Sequence, residues 1–118
     1  MRLVSIAAAV LLLSAATAFA ADPVGEYVVN GTNPGSASTY RGTVRVERTG
    51  ETFRVTWYVA GVRYVGTAIG DSNFIAISYR ARGNDTGLAL YGAAGDDWKG
   101  VWTYANGRQI GTETWKRE

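Results

Sequence analysis

The sequence contains no cysteine and no histidine. The first absence excludes disulfide staples, a thiol nucleophile and thiolate metal sites. The second removes the commonest general base and the usual zinc and copper ligand. Proline occurs only twice. Positive charge is never concentrated: the densest groupings are Arg80-Ala81-Arg82 and Lys116-Arg117, and the formal net charge is +2. Strong binding to nucleic acid or to an anionic membrane is therefore not expected. No P-loop, dinucleotide-binding fingerprint or G-x-S-x-G motif is present, so no cofactor is expected.

One long hydrophobic run exists, and it lies at the start. Arg2 precedes LVSIAAAVLLLSAATAFA, which carries no charge and ends on the small-x-small pattern Ala18-Phe19-Ala20. This is the pattern of a secretory signal peptide cleaved after Ala20. The run is near the lower limit for a membrane span, and no cysteine follows for lipid attachment. The reading is thus a leader over residues 1–20 and one domain over 21–118, secreted or periplasmic, with no stable membrane insertion after cleavage. A domain of this size can bury a modest core without staples.

What the chain does have is glycine, aromatic residues and a period of two. The stretch from Glu51 to Gly70 shows it best. Phe53, Val55, Trp57 and Val59 alternate with Arg54, Thr56 and Tyr58; Ala60-Gly61 offers a turn; Tyr64, Gly66 and Ala68 then recur at every other place. That is a β-hairpin with one buried face. Further strands are predicted over Gly25–Asn30, Thr39–Arg48, Phe74–Tyr79, Gly87–Gly92, Trp98–Tyr104 and Gln109–Trp115. The connections are short, with Asn106-Gly107 as the strongest two-residue hairpin signal. Gly31–Ser38, holding Pro34, is the longest polar loop.

Eight short strands joined by tight turns predict an antiparallel meander. Pairing the first strand with the last would remove both exposed edges. The expected fold is therefore all-β: a small eight-stranded antiparallel up-and-down barrel, with an open sandwich as the alternative. A weak internal repeat places glycine in mid-strand at Gly42, Gly66, Gly100 and Gly111. Such glycines permit sharp coiling or make room for a facing aromatic ring.

The carboxylates are scattered, mostly in turns, and read as solvated. Asp96-Asp97 lacks the alternating oxygen ligands of an EF-hand loop, so no metal site is expected. Glu113 shares its phase with Gly111 and Trp115. A surface position is favoured for it; the alternative is an inward ion pair with Arg45, Arg54 or Arg63. No catalytic residue is assigned. The ligand-binding candidates are aromatic: Trp57, Trp98, Trp102 and Tyr40, lining a pocket at a barrel mouth, against the competing reading that these rings only fill the core. A second candidate contact is the loop Thr32, Asn33, Pro34, Gly35 and Ser36, since loops on rigid scaffolds commonly carry function.

The run of short strands with tryptophan and mid-strand glycine resembles the calycin-like barrels, the avidin-like ones in particular. Gly25-Glu26-Tyr27-Val28-Val29-Asn30-Gly31-Thr32-Asn33-Pro34-Gly35 and Tyr40-Arg41-Gly42-Thr43-Val44 look like a group of short exported bacterial proteins, some labelled fibronectin-binding. The resemblance implies an exported barrel and carries no catalytic residues. The expected function is a non-enzymatic exported binding protein for a small apolar ligand or a protein partner. A periplasmic inhibitor of a hydrolase is the alternative, and a carboxylate-based enzyme a weaker one.

Overall fold

The computed structural model describes residues 22–118; the leader expected over 1–20 lies outside the described residues. Eight strands follow in order: β1 (Gly25–Thr32), β2 (Thr39–Thr49), β3 (Thr52–Val59), β4 (Val62–Gly70), β5 (Phe74–Arg80), β6 (Thr86–Ala94), β7 (Asp97–Tyr104) and β8 (Gly111–Arg117). Each pairs antiparallel with the next, and β1 also pairs with β8, so the sheet closes as a barrel. The meander and its closure are as the strand count and turn lengths predict, and the sandwich alternative is excluded.

Alternation places one residue in two inside. Tyr27 and Val29, Val44 and Val46, Phe53, Val55 and Trp57, and Ile75, Ile77 and Tyr79 all point inward and are buried. The intervening Arg45, Glu47, Arg54 and Arg80 are exposed. Packing is densest at one end, where the largest fully buried side chains, including Trp98, Trp115, Tyr27 and Phe53, fill the interior. That end is sealed by Arg117. Its guanidinium donates to the carbonyls of Val24, Asp22 and Asp96 at 3.0, 2.9 and 3.1 Å and lies over the Tyr27 ring, 4.7 Å from its centroid. The Tyr27 hydroxyl in turn donates to the Pro23 carbonyl at 2.6 Å. Charge, stacking and backbone carbonyls are thus spent on a stopper at this end.

One connection differs from expectation. Asn106 has a positive φ of 64°, but Gly107 does not, and β8 begins at Gly111 rather than Gln109. The Asn106-Gly107 pair therefore sits in a longer loop over 105–110, not in a two-residue turn. The Gln109 carbonyl accepts from the Thr103 hydroxyl at 2.7 Å, which takes it out of the β7–β8 ladder. The two-residue turn with positive φ at both positions lies instead at Ala60 (53°) and Gly61 (78°), between the paired Val59 and Val62. This is type I′ geometry, matched to the twist of the strands.

Ala60 holds a left-handed backbone that costs an L-residue roughly 1–2 kcal/mol. Ala60→Gly should therefore stabilise the protein by about 0.5–1 kcal/mol, read as a raised urea midpoint with unchanged slope. A loss of stability would contradict this backbone assignment.

Candidate functional site

The other end of the barrel is open. A cavity of about 270 Å³ enters it from the β1–β2, β3–β4, β5–β6 and β7–β8 connections, where Asn33, Ala60, Asp85 and Tyr104 form the rim. Its wall is aromatic: Tyr40, Trp57, Tyr64, Tyr79, Tyr91 and Trp102 each come from a different strand, β2 to β7. Glu113 on β8 lies among them. No lysine or arginine lines the cavity.

Glu113 is only 6 % exposed, which corrects the expected surface position. The alternative ion pair is absent as well. Arg45, Arg54 and Arg63 are exposed, and all three lie along a groove apart from this cavity. Arg45 pairs there with Glu26 at 3.0 Å, with both side chains more than half exposed. Instead the Glu113 carboxylate is held by four neutral donors. Oε1 accepts from the Tyr91 hydroxyl at 2.5 Å, Trp115 Nε1 at 2.7 Å and Trp57 Nε1 at 3.0 Å. Oε2 accepts from the Tyr40 hydroxyl at 2.5 Å. A buried carboxylate without hydrogen bonds would be prohibitively costly; here the desolvation is offset by charge-assisted bonds.

Strand register explains how two tyrosines reach it. Glu113 is the direct neighbour of Gly31 on β1 and of Gly100 on β7. Beyond those glycines stand Tyr40 on β2 and Tyr91 on β6. One row across five strands thus reads Tyr40, Gly31, Glu113, Gly100, Tyr91. A Cβ at Gly31 would collide with the Tyr40 ring, and one at Gly100 with the Tyr91 ring. The missing side chains let each ring lie flat across its neighbour and deliver its hydroxyl to the carboxylate. The same device seats Trp102 over Gly111 and Tyr79 over Gly87, again in direct register. Of the repeat glycines, Gly100 and Gly111 seat rings and Gly66 lies against Trp57, whereas Gly42 packs against Val59 and the Tyr58 carbonyl.

The rings also brace one another edge to face. Tyr79 meets Trp57, Tyr64 and Trp102 at centroid distances of 5.8, 6.1 and 6.4 Å. Trp102 further contacts Tyr40 and Tyr104. Such contacts add roughly 0.5–1.5 kcal/mol each beyond area burial. One polar atom in this assembly has no partner: Trp102 Nε1 is buried and makes no hydrogen bond.

Of the residues expected to bind a ligand, Tyr40, Trp57 and Trp102 come together on this wall. Trp98 does not. It lies toward the sealed end, beside Trp115, and is core. In the loop Thr32, Asn33, Pro34, Gly35 and Ser36, only Asn33 lines the cavity. The loop is closed on itself: Asn33 N–H donates to the Ser38 carbonyl, and Asn33 Nδ2 donates to Ser38 Oγ at 2.8 Å. Four further lining residues were not in that candidate set: Glu113, weighed only as a surface group or an arginine's partner, and Tyr91, Tyr79 and Tyr64. Their inward phase was visible; their convergence depends on register. No protein-family model matches the chain, and a search of curated proteins finds no match.

The phenols report this environment. Burial, then the Glu113 charge and the hydrogen bond to it, push Tyr91 and Tyr40 well above the ordinary 10.0. Burial, and then Asp85, raises Tyr79 and Tyr64. A phenol whose folded value is raised contributes stability that is whole below its unfolded value and drains away as pH rises through the folded one. Stability should therefore fall as pH climbs above about 10, and absorbance at 295 nm should show part of the seven tyrosines ionising only on unfolding. Full, reversible ionisation of the native protein near pH 10 would contradict the burial.

Glu113→Gln keeps one acceptor oxygen but removes the charge and turns the other oxygen into a donor, so the charge-assisted bonds are lost and donor meets donor. Glu113→Gln should cost about 3 kcal/mol or more, and Tyr91→Phe about 1.5–3 kcal/mol. Gly100→Ala should cost about 1–3 kcal/mol by displacing the Tyr91 ring. Chemical denaturation checks all three, and neutral outcomes would show that the shell is not formed.

Proposed function

We propose that this barrel is an exported, non-catalytic binding protein that takes a small organic ligand into its open half. The observation that carries the reading is the asymmetry of the interior. One half holds Trp98, Trp115, Tyr27 and Phe53, all fully buried, and is capped by Arg117, while the other keeps an aromatic-walled cavity whose floor is a fixed carboxylate. A barrel that needed only a core would gain by filling that space, since voids cost stability. Concave, mostly apolar sites with a few placed polar groups are the usual form of small-ligand pockets. At about 270 Å³ this one is near the lower end of the roughly 300–1,000 Å³ common for such sites, so the ligand is small. Support for export is the leader pattern of residues 1–20. Support for a non-catalytic role is the lack of histidine and cysteine, together with an inward carboxylate already committed to four structural donors. The loop from Thr32 to Ser36 enters this reading as rim, through Asn33.

The four indole N–H groups give a direct test by nitrogen–proton NMR. Titration with a set of small neutral, cationic and anionic organic molecules should yield binders that shift the Trp57 and Trp102 indole signals and leave Trp98 in place. Ala89→Phe, which projects a ring into the cavity, should abolish those shifts. Binders that move only loop signals, or none that move Trp57 and Trp102, would contradict the pocket.

A further inference from the structure

Resting on the ligand-binding reading above, we propose that the ligand is a small organic cation with an ammonium head. The head sits against Glu113 Oε2 and the surrounding rings.

Three observations converge on this chemistry. The first is charge. The cavity is lined by two carboxylates, Glu113 inside and Asp85 at the rim, and by no cationic side chain. The four groups that hold Glu113 are phenols and indoles, so its negative charge has no counter-ion within the barrel. In a low-dielectric interior that field is poorly screened. It repels anions and attracts cations.

The second is unused acceptor capacity. A carboxylate offers about four lone-pair positions, two on each oxygen. Oε1 takes three donors, whereas Oε2 takes only the Tyr40 hydroxyl. One position on Oε2 is open. The third is the wall. Trp57, Tyr79 and Trp102 present π systems around the cavity, and the negative faces of such rings hold organic cations well when water is excluded. A bare metal ion fits poorly, because hard cations require six or more oxygen ligands and this wall is mostly carbon.

A purely apolar occupant would leave the open Oε2 position unsatisfied, which is costly in a dry site. An ammonium head meets it. The ligand inferred is thus a small organic cation rather than the apolar molecule expected from the sequence.

The test compares molecules of one shape and different charge. Choline and 3,3-dimethyl-1-butanol differ in a quaternary nitrogen against a quaternary carbon and so test charge alone; benzylammonium and benzyl alcohol make a second pair, whose cation also carries N–H donors for the open position on Oε2. Each is titrated by calorimetry into the full-length mature protein, with the Trp57 and Trp102 indole signals as the site readout. We expect a cation of at least one pair to bind at least tenfold more tightly than its neutral partner, and Glu113→Gln to abolish that preference. If the alcohols bind as tightly as the cations and shift the same indoles, the pocket stands and the cation proposal falls. If neither member of either pair moves those signals, the cation proposal falls, and the wider set of molecules described above decides whether the pocket does too. If the preference survives Glu113→Gln, the assignment to Glu113 is wrong. The comparison in the unaltered protein decides the matter even where the Gln variant does not fold.

Discussion

The structure depends on one buried carboxylate without a counter-ion. Glu113 draws donors from β2, β3, β6 and its own strand to a single point inside the barrel. Adjacent strands are joined by backbone ladders; Glu113 ties non-adjacent ones across the interior, as the Tyr79 hydroxyl does more simply by donating from β5 to the Thr103 carbonyl on β7 at 3.2 Å. The cost of burying the charge is large, and a well-packed apolar residue would serve stability as well or better. The chain nevertheless devotes two tyrosines, two tryptophans and the two glycines that seat the tyrosines to holding a charge in place. Investment of that kind is expected where a fixed charge is used, and it is the physical reason for reading the open half as a site rather than as an incompletely filled core.

The two ends of the barrel show the contrast. At the sealed end a cation, Arg117, is satisfied by backbone carbonyls and a tyrosine ring. At the open end an anion is satisfied by side chains alone and retains a free acceptor position. Between them Trp115 contacts the rings of Tyr27, Tyr91 and Trp57, so the packed half buttresses the floor of the cavity. Rigid support beneath a polar group is what keeps it aimed without reorganisation on binding.

Much of the scaffold was legible in the sequence. Alternation at Phe53, Val55 and Trp57 identified the inner face, and short turns implied the meander and hence closure. The glycines at 100 and 111 were read as permitting sharp coiling or making room for a ring, and they seat rings. Glu113 was misplaced for an instructive reason. Its phase with Gly111 and Trp115 put it on the inner face, but buried charges are usually paired with opposite charges, and the search for a partner went to arginines. The actual partners are Tyr40, Tyr91, Trp57 and Trp115, and three of these four meet it only through the register of distant strands. Trp98 and Trp102 illustrate a related limit. They share a strand and a face, and only the direction of β7 decides that one is core and the other borders the cavity. The Asn106-Gly107 turn was overridden by a side-chain bond, Thr103 to the Gln109 carbonyl, which no local pattern announces.

The central claim is that Glu113 is a hub whose bonds are mutually dependent. A double-mutant cycle measures this most directly. Stabilities of the unaltered protein, Glu113→Leu, which has no acceptor, Tyr91→Phe and the double variant, taken from urea denaturation, give the coupling between the two side chains. The account predicts that the tyrosine hydroxyl is worth far less once the carboxylate is gone, with a coupling of about 1.5 kcal/mol or more. Additivity within about 0.5 kcal/mol would contradict it, because the Tyr91 hydroxyl would then not depend on Glu113 for its acceptor.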